Sequence, residues 1–124
     1  MTGVIWMVQW VHYPLMAEVG DQSFRRYHQR HTERITHLVG PLMLLELVTA
    51  LLLLLEPGIL GSSTAAVALG LLVFIWISTA LIQVPQHHYL GTGQSRNVAA
   101  LVAGNWVRTA AWTARSVLLV GSLS

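Results

Sequence analysis

The chain reads as an all-α membrane bundle: four spanning helices, with an amphipathic interfacial helix between the first and the second. Three observations predict this. Of the 124 residues, 54% are hydrophobic and 10% charged, where a soluble domain carries roughly 25% charged residues. The mean hydropathy is +0.59. The apolar residues fall into four long runs separated by short polar connections. Each run is continuous rather than alternating, and lipid offers no partner for open backbone, so helices are the spanning form. The length allows a single integral membrane domain, residues 1–124, and no second soluble module.

The first segment covers about 3–19 and is apolar at Val4, Ile5, Trp6, Met7, Val8, Trp10, Val11, Leu15 and Met16. It lacks a basic stretch ahead of its apolar run, so it reads as a retained helix and not as a secretory signal. Pro14 removes the donor for the carbonyl of Trp10 and predicts a kink. The connection that follows carries Phe24, His28, His31, Ile35 and Leu38 at helical spacing, with Arg25, Arg26, Arg30 and Arg34 mostly off that stripe. This pattern predicts the interfacial helix, which can run on into the second segment. The second segment covers about 35–55 and stops at Glu56-Pro57-Gly58; Pro41 is expected to restart or kink it. The third covers about 62–84 and is expected to end at Pro85. The fourth covers about 98–120.

Charge sets the expected orientation. The first and third connections hold Arg25, Arg26, Arg30, Arg34 and Arg96, and the turn between the second and third segments has no basic residue. The positive-inside rule then places the Arg-rich connections in the cytoplasm and both termini outside, in a bacterial inner membrane. The sequence has no cysteine, which excludes disulfides, thiolate zinc sites and iron–sulfur clusters. All basic residues are Arg and they flank membrane segments, so the positive net charge of +2 does not point to nucleic acid.

The polar residues inside the segments are the candidates for chemistry, because ionisable groups are expensive in hydrocarbon and face a partner, a cavity or a ligand. Glu46 and Arg108 each lie about ten residues from the cytoplasmic end of their segments, roughly 15 Å deep. Their common depth suggests an ion pair, read as a register lock or as a substrate anchor. Asn105, Arg108, Trp112 and Arg115 share one face of the fourth segment, with Arg115 expected to reach the outer interface. Ala103, Gly104, Ala110, Ala111 and Ala114 lie on its small flank, which lets helices approach closely and makes this segment central. His12, His31, His87 and His88 can be drawn toward one layer, with His12, His31 and His87 as the candidate ligands. With Glu46 they would suit a metal ion (iron, copper or zinc), or the histidines a haem, since imidazole serves both. Each histidine also has a plainer reading as a hydrogen-bonded interfacial residue. Gln83 and Asn105 would orient a ligand. The tryptophans read chiefly as interface anchors and packing.

The stretches VHYPLMAEVG (11–20), HTERITHLVGPLMLLELVTALLLL (31–54), QVPQHHYL (83–90) and NWVRTAAWTARSVL (105–118) together resemble a group of small, uncharacterised bacterial integral membrane proteins of four helices. The matching positions are His12, Pro14, His31, Glu46, Gln83, Pro85, His87, Asn105, Trp106 and Arg108. The resemblance implies a four-helix bundle. More distantly, the layout is similar to anthrone-oxygenase-like membrane proteins, which also set a late Trp near an Arg. Two functions follow as expectations. One is a small membrane enzyme or redox protein, with a cytoplasmic-half site taking a lipophilic substrate such as a quinone or an aromatic polyketide. The other is a non-enzymatic accessory subunit of a larger membrane complex, whose tryptophans pack partners or pigments, and against which a homo-oligomer with its own cofactor would count; a transporter is a third.

Overall fold

The computed structural model describes residues 1–93 and 97–123, and every regular element among them is helical. Arg96, counted above in the charge asymmetry, lies outside the described residues. The first helix is a rod in three parts: α1 (Thr2–Met7), a π-helical turn (Val8–His12) and α2 (Tyr13–Ala17). α3 (Asp21–Leu55) follows, then the short α4 (Pro57–Leu60). The next rod joins α5 (Ser62–Ser78) to a second π-helical turn (Thr79–Gln83) and α6 (Val84–Thr92). α7 (Val98–Leu123) closes the chain, and the Asn97 side chain caps its first turn by accepting from the Ala100 amide at 2.9 Å.

Several boundaries differ from the sequence expectation. The Arg-rich stretch runs on into the second segment and no break falls at Pro41: α3 is one helix of 35 residues. Phe24, His28 and His31 are buried along its early part, so tertiary contacts hold this stretch continuous with the apolar part. The third segment does not stop at Pro85 but continues to Thr92, where Gly93 adopts a left-handed φ of 74° that terminates the helix. The kink expected at Pro14 takes a specific form. Each of Pro14 and Pro85 is the second residue after a π-helical turn. A proline ring crowds the carbonyl four residues back and gives it no donor; the widened turn just before each proline accommodates both defects.

Two helical stretches, Asp21–Leu55 and Ser62–Thr92, are long and apolar enough to cross a membrane, with window hydropathies of 2.4 and 2.5. Their outer faces expose Leu44, Leu45, Val48, Leu51, Leu52, Val73, Phe74, Ile77 and Leu81.

α7 is the central element. It packs along α5, the first helix and α6, whereas α3 packs along α5 and α6. One apolar cluster joins Val8, Tyr13, Met16, Phe24, Leu90, Val98 and Leu101; a second joins Ile5, Met43, Ile75, Ala111 and Trp112. The small flank of α7 makes the approach close. A Cβ added at Gly104 would lie 3.0 Å from Gln83 Nε2, 3.0 Å from Gln86 Oε1 and 3.1 Å from Ile82 Cγ2. Gly104→Val is therefore expected to overpack the joint between α7 and the second π-helical turn, costing about 1–3 kcal/mol. A lowered unfolding midpoint in detergent, larger than that of Gly121→Val in open space, is the check.

Candidate functional site

The backbones of α3 and the first helix do not pack against one another, and side chains bridge the interval. Cavities open on either side of the bridge, of about 800 Å³ and 730 Å³. The bridge is a layer of imidazoles. His12 and His31 stack with centroids 4.2 Å apart. His28 Nε2 lies 3.0 Å from His87 Nδ1, and His87 Nε2 lies 3.2 Å from the Tyr13 hydroxyl. The His31 and His87 rings are 5.9 Å apart, which joins the two pairs. His12, His31 and His87 thus converge as the sequence suggested.

His28 completes the layer and was not chosen from the sequence. Its signal was its place on the apolar stripe with Phe24 and His31: it is 2% exposed. Tyr13 was missed as well, although it lies between His12 and Pro14.

Below the histidines comes an amide tier. Asn105 Nδ2 donates to Gln9 Oε1 at 2.8 Å, and Gln9 Nε2 donates to the Val102 carbonyl at 3.2 Å. Gln83 is 1% exposed, and neither its amide oxygen nor its nitrogen has a hydrogen-bond partner among the described residues. The same holds for Nε of Arg108, which is 8% exposed. Arg108 acts electrostatically on both Tyr13 and His87, and its guanidinium carbon lies 5.4 Å from the Trp112 ring centroid.

Glu46 stands apart from this group, and the expected Glu46–Arg108 pair is replaced by another. Glu46 Oε1 lies 3.7 Å from Arg115 Nη1 and 3.6 Å from the Met1 nitrogen, while Glu46 Oε2 accepts from Trp112 Nε1 at 2.8 Å. The Trp112 side chain thus contacts both the carboxylate and the Arg108 guanidinium. Counting residues from segment ends ranked Glu46 and Arg108 at one depth, but it could not fix the offset between helices. Arg115 does not extend to the interface: it is buried, and its Nε donates to the Ala68 carbonyl at 3.3 Å. Trp112 is a core residue and not an interface anchor, at 1% exposure. Trp6, Trp10 and Trp106 do sit on the outer surface, as edge-to-face pairs with centroids 5.6 and 6.5 Å apart.

The suggested metal set of His12, His31, His87 and Glu46 is not gathered. Glu46 is held by Arg115 and Trp112, and the imidazoles stack or bond pairwise instead of aiming nitrogens at one point. Among the described residues no cluster of three or more histidine and carboxylate side chains is arranged around a metal position.

What the layer can do follows from imidazole tautomerism. A neutral ring donates from one nitrogen and accepts at the other. In one polarity Tyr13 donates to His87, which donates to His28. In the reverse polarity His28 donates to His87, which donates to Tyr13. Moving a proton in at one end and out at the other switches the chain between the two states.

No family model, curated protein or solved structure matches the chain. The site is therefore read from its own geometry.

Proposed function

We propose that this is a small integral membrane protein that takes a lipophilic molecule from the bilayer into the 730 Å³ cavity and exchanges protons with it through Tyr13, His87 and His28. The observation that carries the reading is that Gln83 and Arg108 line this cavity as buried polar side chains with atoms lacking a partner, in the same wall as Tyr13, His87 and His28. Buried polar atoms are nearly always hydrogen-bonded, so exceptions in a cavity wall call for an outside partner. The remainder of the wall is mainly apolar, including Val4, Ile5, Val8, Val39, Met43 and Trp76. Such a cavity suits a flat, apolar molecule with one or two carbonyl or hydroxyl oxygens, a quinone or an aromatic phenol. Arg108 and the Gln83 amide nitrogen would bind the oxygen, and where that oxygen is a hydroxyl the Tyr13 end of the chain would supply or take its proton, with His87 relaying it.

The exposed leucine and valine faces of α3 and α5 support residence in lipid, because a water-facing patch of that extent would associate. The four-span arrangement with Arg-rich connections in the cytoplasm belongs to this reading, as does the likeness to the small four-helix membrane family. A metal or haem would require the imidazoles to turn out of their present pairs, so proton handling is the preferred role.

The test is binding of a short-chain quinone to the detergent-solubilised protein, followed by tryptophan fluorescence. An absorption spectrum and elemental analysis are taken on the same sample. Saturable binding that is lost in Gln83→Leu, in a colourless and metal-free sample, is the expected result. Stoichiometric iron, copper or zinc, or a Soret band, that disappears in His87→Ala would replace the proton-handling reading with the cofactor one.

A further inference from the structure

The second cavity, about 800 Å³, lies on the other side of the imidazole layer and has a different character. One wall is apolar, with Val4, Met7 and Val8 from the first helix and Leu38 from α3. Arg26, Arg30 and Arg34 line the cavity too, in the same four-residue row of α3 that ends at Leu38. They are four residues apart on one helix, so their side chains form a ladder with rungs about 6 Å apart. None of the three has an ion-pair partner among the described residues, and no carboxylate lines the cavity. At the floor, His31 is 9% exposed and its Nε2 lacks a partner; the Nε2 of His12, stacked on it, lacks one too. Polarity therefore changes along the cavity, from guanidinium groups at one end to methyl and methylene groups at the other.

We propose that this cavity binds one anionic phospholipid, its phosphate on the Arg26–Arg30–Arg34 ladder and an acyl chain along Met7, Val8 and Leu38. The chemistry matches at each end. Guanidinium groups form paired, charge-assisted hydrogen bonds to phosphate oxygens. The unpartnered imidazole nitrogens of His12 and His31 sit between ladder and apolar wall, where the glycerol ester oxygens of such a lipid lie. Water cannot satisfy the apolar wall, and a free phosphate would leave it empty. The site is separate from the Tyr13–His87–His28 chain, and does not depend on what that chain does.

The test counts bound lipid. Delipidated protein in a neutral detergent is mixed with phosphatidylglycerol or with phosphatidylcholine of the same chains, and the complexes are counted by native mass spectrometry. One phosphatidylglycerol is expected to bind at least tenfold more tightly than phosphatidylcholine. Arg26→Gln/Arg30→Gln/Arg34→Gln should abolish that preference and each single change among them should weaken it, while Arg25→Gln, which removes one charge of the same helix from outside this cavity, should keep it. Millimolar inorganic phosphate should not displace the lipid. Equal retention of the two lipids, or an undiminished preference in the triple variant, overturns the proposal. Displacement by inorganic phosphate also overturns it, in favour of a free-phosphate site. Leu38→Trp fills the chain end and leaves every arginine in place. It must lower retention as well, so the proposal stays exposed even if the triple variant fails to fold.

Discussion

Arg115→Met should destabilise the bundle by about 3–5 kcal/mol, the cost of removing one partner from a buried ion pair. Its side chain is 7% exposed and joins three helices: it lies on α7, donates to the Ala68 carbonyl of α5 and meets Glu46 of α3. Without it the Glu46 carboxylate, 19% exposed, keeps the Met1 amino group at 3.6 Å and the Trp112 indole at 2.8 Å. These offset only part of the loss, because neither ties α5 to the carboxylate as Arg115 does. Unfolding in a denaturing-detergent titration measures the loss. The double variant Glu46→Gln/Arg115→Met should recover part of it, because the under-paired carboxylate charge is then gone, and a coupling of about 1–3 kcal/mol is expected for groups in direct contact. A single variant that unfolds within about 0.5 kcal/mol of the parent would show that the pair holds nothing together.

The second large effect is expected at His87. Both of its ring nitrogens are engaged, one by Tyr13 and one by His28. His87→Ala removes both partners at once and leaves two buried polar groups unsatisfied, each worth about 1–3 kcal/mol. It also cuts the proton path at its centre. Quinone binding should fall at least tenfold, about 1.4 kcal/mol. Tyr13→Phe, which removes one end only, should keep binding within a few-fold and abolish the pH dependence of the bound state. If His87→Ala binds as the parent does, the oxygen of the ligand is not near the imidazole layer, and the proton-exchange reading fails.

Much of the fold was legible because long apolar runs leave the backbone few choices. Such runs are helical, and proline and glycine mark where runs change. The small flank of the last segment correctly placed α7 at the centre, since Gly104 sits against Gln83 and Gln86. The polar face Asn105, Arg108, Trp112 and Arg115 is likewise buried throughout. Helix ends were harder to read. Pro41 and Pro85 looked like breaks, but a proline inside a packed helix is carried by its neighbours.

In the site, the convergence of His12, His31 and His87 was legible from segment order and depth. The pairing of Glu46 was not. A carboxylate chooses among cations by rotation about helix axes, and neither depth nor sequence reports that rotation. His28 and Tyr13 were passed over for a related reason. An apolar stripe hides a polar member whose hydrogen bonds come from other helices.

The π-helical turns have a consequence for how such a chain varies. Each amounts to one residue added to an α-helix, and one residue is about 100° of rotation. Val8–His12 therefore resets the angular phase of everything after it on that rod, and Thr79–Gln83 does the same on the other. Upstream of each offset the side chains face one set of neighbours. Downstream, Tyr13 and His87 are turned into a common sector they would otherwise miss. The imidazole layer is thus specified partly by a count of residues. Two single-residue deletions, one in each rod, would swing its members apart while leaving every polar side chain of the layer in the sequence.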